Sequence, residues 1–323
     1  MTVFLTVTII AAALLLLILA FAAYYMYRFA TVRLTPVSTV WEDDELFYRF
    51  RRSYEKCPPA YMEKRDVFRK LGKSGRRLSI ASRDGLKLSA RLILPEGDVK
   101  GALIMFHGYR SEPTHDFGPL GSDLLKMGLM LLVPDQRAHG GSEGRHITFG
   151  VKERYDAVLW AETLSEMYPD VSIGLYGLSM GAATVTMAAE LPLPPNVKAV
   201  IADCGYTSPL EICEKVMVRD MHLPKFPLFP VSRLMIRLAA GFDFCEASSV
   251  DAIRKAPLPC LIIHGEKDGF VPFKMGEALR DAADGKCTFF SVPEADHGNS
   301  YLYAPNEYTQ TIRRFLHGVD INI

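Results

Sequence analysis

The chain lacks any excess of charge. Its 323 residues include 37 Lys and Arg and 37 Asp and Glu, so the formal net charge is zero. It also lacks a long block of basic residues. Proteins that bind phosphate backbones do so through clustered Lys and Arg, so this composition argues against a nucleic-acid partner.

Cysteine is sparse and shows no C-x-x-C spacing. Two of the cysteines, Cys204 and Cys260, fall within apolar runs, which is typical of reduced core thiols. The pattern therefore argues against a disulfide framework or a zinc site. The six cysteines are Cys57, Cys204, Cys213, Cys245, Cys260 and Cys287.

Charge is missing altogether from residues 2–27. At roughly 1.5 Å per helical residue, this run can cross a hydrocarbon core of about 30 Å. Tyrosines close the run, as in an interfacial aromatic belt, and Arg28 follows. We interpret residues 1–28 as a single-pass membrane anchor. A cleaved signal peptide is the alternative, because Ala-Phe-Ala at 20–22 resembles a cleavage site, although no positive charge precedes the run.

Basic residues follow the apolar run and none precedes it. By the positive-inside rule, this distribution predicts that the body of the protein lies in the cytoplasm, with a very short N-terminus outside. Signal cleavage would instead leave the body secreted or extracytoplasmic. The nearest basic residues after the run are Arg28, Arg33, Arg49, Arg51 and Arg52.

Beyond the anchor, residues 29–75 are predicted to be a helical linker, and residues 76–323 a single α/β domain. Alternation on both sides of Asp84-Gly85 predicts a β-hairpin. Apolar runs then alternate with helical periods, which predicts a mostly parallel sheet covered on both faces. The hairpin should add antiparallel strands at one edge. The predicted buried strands are 102–106, 129–133, 171–176, 197–202, 258–263 and 288–292.

A long interval separates the strand predicted at 197–202 from the next one at 258. This length predicts a helical cap insertion, about 206–250, over the carboxyl edge of the sheet. Its large apolar residues either line a pocket or only bury the insertion against the body. These residues are Met217, Met221, Phe226, Phe229, Met235 and Ile236.

Ser179 lies in the sequence Gly-Leu-Ser-Met-Gly at 177–181. A predicted strand runs directly into this motif, and a small-residue helix runs directly out of it. A nucleophile on such a sharp turn needs small neighbours on both sides, and the helix N-terminus favours negative charge. The context therefore favours a catalytic serine over a structural one.

A serine nucleophile needs a base, and the base needs an orienting acid. His297 follows the last predicted strand, and Asp268 follows the strand before it, so both should reach the same sheet edge as Ser179. Asp203 also follows a strand and is the alternative acid.

Other polar residues have less specific interpretations. His107 and His264 lie at strand ends and are interpreted as packed structural histidines. His139 and His146, with Asp135 and Glu143, could suggest a metal site, but their spacing favours a hydrogen-bonded loop. Cys204 is a weak rival nucleophile, because no suitably placed histidine follows it.

The order Ser179, Asp268, His297 resembles that of α/β-hydrolases, and the likeness covers residues 76–316. Within that superfamily, the chain is most similar to serine esterases and acylaminoacyl or prolyl peptidases. The resemblance implies an α/β-hydrolase fold with these three residues as a catalytic triad. It also implies that the backbone N–H groups of Tyr109 and Met180 form an oxyanion hole.

The resemblance implies an enzyme that cleaves a carboxylic ester or thioester of a small, possibly lipophilic, substrate without a cofactor or metal. Three alternatives stay open. A peptidase would use the same residues, although such enzymes usually carry a large N-terminal gating domain. An acyltransferase would pass the acyl group to another acceptor. A binding protein on an inactive scaffold is the non-enzymatic alternative.

Overall fold

The computed structural model describes residues 2–51, 58–321 and 323. Eight strands form one sheet: β1 (Arg76–Ala81), β2 (Lys87–Ile93), β3 (Gly101–Phe106), β4 (Leu129–Asp135), β5 (Ile173–Leu178), β6 (Val197–Asp203), β7 (Cys260–Gly265) and β8 (Cys287–Val292).

The described helices are α1 (Thr2–Thr31), α2 (Asp44–Arg51), α3 (Pro59–Ser74), α4 (Pro113–Lys126), α5 (Glu153–Met167), α6 (Met180–Ala188), α7 (Pro209–Lys215), α8 (Leu228–Ala240), α9 (Ser249–Lys255), α10 (Phe273–Ala282), α11 (Ser300–Tyr303) and α12 (Pro305–His317). A π-helical turn, Val216–Asp220, continues α7.

The sheet has the order β1-β2-β4-β3-β5-β6-β7-β8. β1 pairs with β2 and β2 with β4 in antiparallel register, whereas the remaining pairs are parallel. The predicted mostly parallel sheet with an antiparallel edge is therefore confirmed. β3, β4 and β7 are buried along their whole length, as expected for strands covered by helices on both faces, and their residues are mostly apolar.

The predicted strands match the observed ones to within about two residues. The largest shifts, of two residues at each end, are at β5, expected at 171–176 and observed at Ile173–Leu178, and at β7, expected at 258–263 and observed at Cys260–Gly265. The shift at β5 brings the end of that strand directly to Ser179. Because parallel strands share one carboxyl edge, the segments after β5, β6, β7 and β8 converge there.

The apolar N-terminal run forms one continuous helix, α1, which extends to Thr31. It is long and apolar enough to cross a membrane. Residues 2–22 are not buried, whereas Ala23, Met26, Tyr27 and Thr31 pack against the rest of the protein. We call residues 2–22 the free part of α1 and residues 23–31 its docked end.

The predicted linker contains α2 and α3, and α3 packs against α4. Its buried Arg65 lies 3.3 Å from the Glu112 carboxylate at the start of α4. Phe68 of α3 packs against Gly121 of α4, where a Cβ would lie only 2.4 Å from the ring. These contacts tie the linker to the body, and the domain boundaries at 28 and 75 stay a prediction.

The predicted cap insertion contains α7, the π-helical turn and α8. The next helix, α9, packs against α6 and α10 of the body. The limits of the cap, about 206–250, stay a prediction. Of the six candidate pocket residues, Phe226 is 82% exposed.

Candidate active site

Ser179 sits on a strained turn between β5 and α6. Its φ is +56°, in the left-handed region that few non-glycine residues adopt. Its backbone N–H donates to the carbonyl of Asp203 at 2.8 Å. The turn requires glycine on both sides: a Cβ on Gly177 would lie 2.1 Å from the Gly181 oxygen, and one on Gly181 would lie 1.8 Å from the Phe106 oxygen. The backbone thus holds the hydroxyl at the sheet edge.

His297 connects Ser179 to Asp268. Its Nε2 lies 2.9 Å from the Ser179 Oγ, and its Nδ1 lies 2.7 Å from Asp268 Oδ2. An ionised carboxylate only accepts hydrogen bonds, so the proton of the neutral ring belongs on Nδ1. Nε2 is then free to accept the hydroxyl hydrogen of Ser179. The structure brings the three predicted residues into one hydrogen-bonded relay.

Both oxygens of the Asp268 carboxylate take part in hydrogen bonds. Oδ1 accepts the N–H groups of Phe270 at 2.9 Å and Val271 at 2.8 Å. Burial by itself raises the pKa of Asp268, but hydrogen bonds and charge from His264 and His297 outweigh it and lower the pKa to about 2. The carboxylate is therefore ionised at neutral pH, as an orienting acid must be.

Asp203, the alternative acid, makes a different contact. Its Oδ2 accepts the Tyr308 hydroxyl at 2.8 Å, and the Tyr176 and Tyr308 hydroxyls lie 2.6 Å apart. Burial raises the pKa of Asp203 to about 6. The carboxylate hydrogen-bonded to His297 is therefore that of Asp268, whereas Asp203 is bonded to Tyr308.

The loop after β3 lies beside Ser179, and most of its backbone N–H groups donate hydrogen bonds within the protein. Gly108 N–H donates to Asp116 Oδ2 at 2.6 Å, and Arg110 N–H donates to His139 Nε2 at 3.0 Å. Tyr109 N–H, between them, has no acceptor among the described residues. Met180 N–H is the first of α6, where intrahelical acceptors are missing. These are the two donors predicted for an oxyanion hole.

The comparisons with known proteins agree with the fold that carries these residues. The family model for the alpha/beta hydrolase fold matches residues 101–234, which include β3, β5 and Ser179. The chain has the α/β-hydrolase fold, and this match supports its place in the superfamily of that name.

Individual relatives are distant. The chain is 26% identical to YqkD of Bacillus subtilis over 220 residues, which are 68% of this chain and 72% of that protein. It is 32% identical to monoglyceride lipase of Mus musculus over 185 residues, 56% of this chain and 59% of the lipase. Among solved structures, the Pyrococcus furiosus esterase Pf2001 has a TM-score of 0.61 at 23% identity, over 76% of this chain and 93% of the esterase.

Two cavities of the protein meet at Ser179. One, of about 100 Å³, is lined mainly by apolar side chains of the cap and the docked end of α1. The other, of about 690 Å³, carries polar groups that include Asp116, Asp203, Asp296 and Asn299. Of the six cap residues considered as pocket lining, the apolar cavity is lined by four: Met217, Met221, Phe229 and Ile236.

Two supporting residues were not predicted. Asp116 accepts from Gly108 N–H and, at 2.5 Å, from the Ser111 hydroxyl, so it holds the loop beside Ser179. His264 is buried as expected, but its Nε2 also lies 3.4 Å from Asp268 Oδ2 and 2.9 Å from the Val271 carbonyl. Neither residue belongs to a recognisable motif, and only the fold brings each to its partner.

The residues considered for a metal are bonded within the protein. His139 accepts from Arg110 N–H, and His146 Nε2 lies 2.9 Å from the Tyr27 hydroxyl. Asp135 accepts from Gly141 N–H and Glu143 from Lys87 N–H. These contacts fit the hydrogen-bonded loop that their spacing favoured.

Cys204 lies next to the relay, with its sulfur within 4.8 Å of ligand atoms of Asp268 and His297. Burial, with the charges of Asp203 and Asp268, raises the pKa of its thiol well above the ordinary value. A neutral thiol is a poor nucleophile, so the site does not favour Cys204 in that role. All five cysteines that the structure describes are free, and Cys204 and Cys260 are buried as predicted.

Proposed function

We propose that the protein is a serine hydrolase that cleaves a carboxylic ester, or a thioester, through an acyl-enzyme on Ser179. The relay of Ser179, His297 and Asp268 carries this proposal, since it couples a hydroxyl to a base and the base to an ionised acid. The strained turn and the unoccupied N–H of Tyr109 support it.

In the proposed mechanism, His297 Nε2 takes the proton of Ser179 as Oγ attacks the acyl carbonyl. Asp268 stabilises the imidazolium that forms. The N–H groups of Tyr109 and Met180 would hold the oxyanion, where loss of one donor typically costs about 3–4 kcal/mol of transition-state stabilisation. His297 then returns the proton to the leaving alcohol. Water activated by the same ring hydrolyses the acyl-enzyme.

The two cavities suggest the kind of ester. Ser179 lies where the apolar cavity meets a larger cavity whose lining includes carboxylate and amide side chains, which suits an apolar acyl chain on one side of the scissile bond and a more polar alcohol on the other. The similarity to a protein named monoglyceride lipase supports an ester of this amphiphilic class.

The nucleophile is tested by comparing Ser179→Ala with Cys204→Ala in the full-length protein. Ser179→Ala should abolish both the turnover of p-nitrophenyl esters and labelling by a fluorophosphonate probe, while the thermal unfolding midpoint stays close to that of the wild type. Cys204→Ala should still be labelled. Undiminished labelling of Ser179→Ala would show that another residue is the nucleophile. Parallel assays with amide substrates and with added alcohol acceptors separate esterase from peptidase and acyltransferase activity.

We further propose that α1 anchors the protein in a membrane, with the hydrolase domain in the cytoplasm. The uncharged, unburied residues 2–22 and the arginines that follow the span support this topology. The protein should sediment with membranes with its N-terminus intact, and a reporter active only outside the cytoplasm should be inactive at its C-terminus. Recovery of the intact protein in the soluble fraction would contradict the membrane anchor. An active reporter would contradict the cytoplasmic location of the hydrolase domain.

A further inference from the structure

The docked end of α1 packs directly on the cap. Ala23 and Met26 of α1 form one apolar cluster with Met217, Leu228 and Phe229 of the cap. Met26 is 9% exposed and Ala23 is fully buried, Leu19 and Ala22 are half-buried against the same cluster, and residues 2–18 are all exposed. An anchor that only tethered the domain would not need this fitted contact.

The same end of α1 forms one wall of the apolar cavity. Met26, Phe29 and Ala30 line it from the side of α1, and Met217 and Phe229 line it from the cap. Ser179 also lines this cavity. A chain bound along the cavity would therefore touch α1 while its carbonyl lay at the nucleophile.

Once α1 spans a membrane as proposed, its length sets this cavity near the membrane surface. Residues 2–22 extend for about 31 Å as a helix, close to the roughly 30 Å thickness of a hydrocarbon core, and Leu19 and Ala22 near the end of this stretch already pack on the cap cluster. Ala23 and the docked end that follows it would then lie at the interface. Leu234 and Leu238 of α8 lie one helical turn apart and are 55% and 78% exposed, so the cap also exposes apolar surface.

From these contacts we infer that the docked end of α1 is part of the substrate site. It forms a wall of the acyl-binding pocket, so that the single acyl chain of a membrane-resident ester passes from the bilayer along α1 to Ser179. This inference rests on the proposed function for its substrate and adds a specificity role for Met26 and Phe29. It makes the α1 segment a determinant of chain length as well as an anchor.

The first test changes the wall in the full-length protein. Met26→Trp should narrow the pocket and lower the ratio of kcat/KM for p-nitrophenyl dodecanoate to that for the acetate by roughly tenfold or more. Met26→Ala should shift preference the opposite way, towards hexadecanoate over dodecanoate. Phe21→Trp is the matched control, because Phe21 is 72% exposed on the free part of α1, and it should leave the ratio unchanged. Unchanged ratios in both Met26 variants would overturn the inference.

The second test does not depend on turnover. Ser179→Ala in detergent micelles is irradiated with a dodecanoic acid that carries a diazirine at its chain end, and modified residues are mapped by mass spectrometry. Adducts are expected at Met217 or Phe229, and adding Met26→Trp should reduce them whereas adding Phe21→Trp should not. Adducts at these residues that persist undiminished with Met26→Trp, or no adducts there at all, would overturn the inference. An inactive wild type that still showed the expected adducts would count only against the proposed hydrolase activity.

Discussion

The Tyr109 hydroxyl donates to the backbone carbonyl of Ala30 at 2.9 Å, and so joins the loop beside Ser179 to the last turn of α1. Arg110 strengthens the junction, since its guanidinium donates to the carbonyls of Phe29 at 2.6 Å and Val32 at 3.0 Å. Carbonyls at a helix C-terminus lack intrahelical partners, and these donors satisfy them. The loop that carries the proposed oxyanion donor is thus fixed to the N-terminal helix.

Tyr109→Phe keeps the ring and the backbone N–H but removes this hydroxyl. We expect kcat to fall about fivefold, which corresponds to the roughly 1 kcal/mol net value of one hydrogen bond, because the loop is held less firmly at the oxyanion position. Ester hydrolysis at saturating substrate measures the effect. Tyr25→Phe, on the 55% exposed Tyr25 of the same helix, should be neutral. An unaltered kcat in Tyr109→Phe would mean that the junction does not position the loop.

The acid can be assigned by a matched pair of variants. Asp268→Asn should lower kcat by about 10⁴, because an amide does not hold the Nδ1–H tautomer of His297 or stabilise the imidazolium. Asp203→Asn should lower kcat far less, because Asp203 bonds to Tyr308. Steady-state kinetics on one short ester compare the two directly. Equal losses, or a larger loss in Asp203→Asn, would contradict the assignment of Asp268.

The elements that the sequence predicted well share a physical reason. Ser179 was recognisable because its motif is local: a strand, a glycine-flanked serine and a helix follow one another without interruption. Asp268 and His297 were expected near it because each directly follows a parallel strand, and such strands share one carboxyl edge. No long-range packing had to be known.

The features that were missed depend on packing between distant segments. An apolar run shows that α1 is hydrophobic on all sides, but not that its last two turns dock on the cap. The contact of His264 with Asp268 depends on how β7 and the following turn are oriented. Phe226 was one candidate for the pocket lining, but it precedes α8 and is exposed, whereas Phe229 and Ile236 are buried on α8 and line the pocket.

Asp203 should make stability depend on pH in a defined direction. Burial raises its pKa to about 6, above the ordinary value near 3.8. Well below pH 3.8 the carboxyl is protonated in both folded and unfolded chains, so its favourable contribution is complete there and is lost as the pH rises through 6. Asp203→Asn should therefore raise the free energy of unfolding by up to about 3 kcal/mol at pH 8 but by only about 0.5 kcal/mol at pH 4.

Thermal unfolding in detergent at the two pH values measures this difference, because the other titrating groups are common to variant and wild type. Asp98→Asn, at an exposed position, provides the control and should show no such pH dependence. An equal gain in the free energy of unfolding of Asp203→Asn at pH 4 and pH 8 would show that burial does not destabilise the ionised form of Asp203.

The close approach at Gly181 gives the sharpest prediction for the turn that carries Ser179. A Cβ there would lie 1.8 Å from the Phe106 oxygen and 2.8 Å from the His107 oxygen, both of them backbone atoms that cannot move aside. Gly181→Ala should therefore displace the turn, destabilise the protein by about 1–3 kcal/mol or more, and greatly slow fluorophosphonate labelling of Ser179. Gly269→Ala is the matched control at the same sheet edge, since a Cβ at Gly269 meets nothing within 4 Å. Because Gly269 directly follows Asp268, normal labelling of Gly269→Ala together with poor labelling of Gly181→Ala would place the effect in the turn itself. Equal labelling of the two variants would contradict the required close approach.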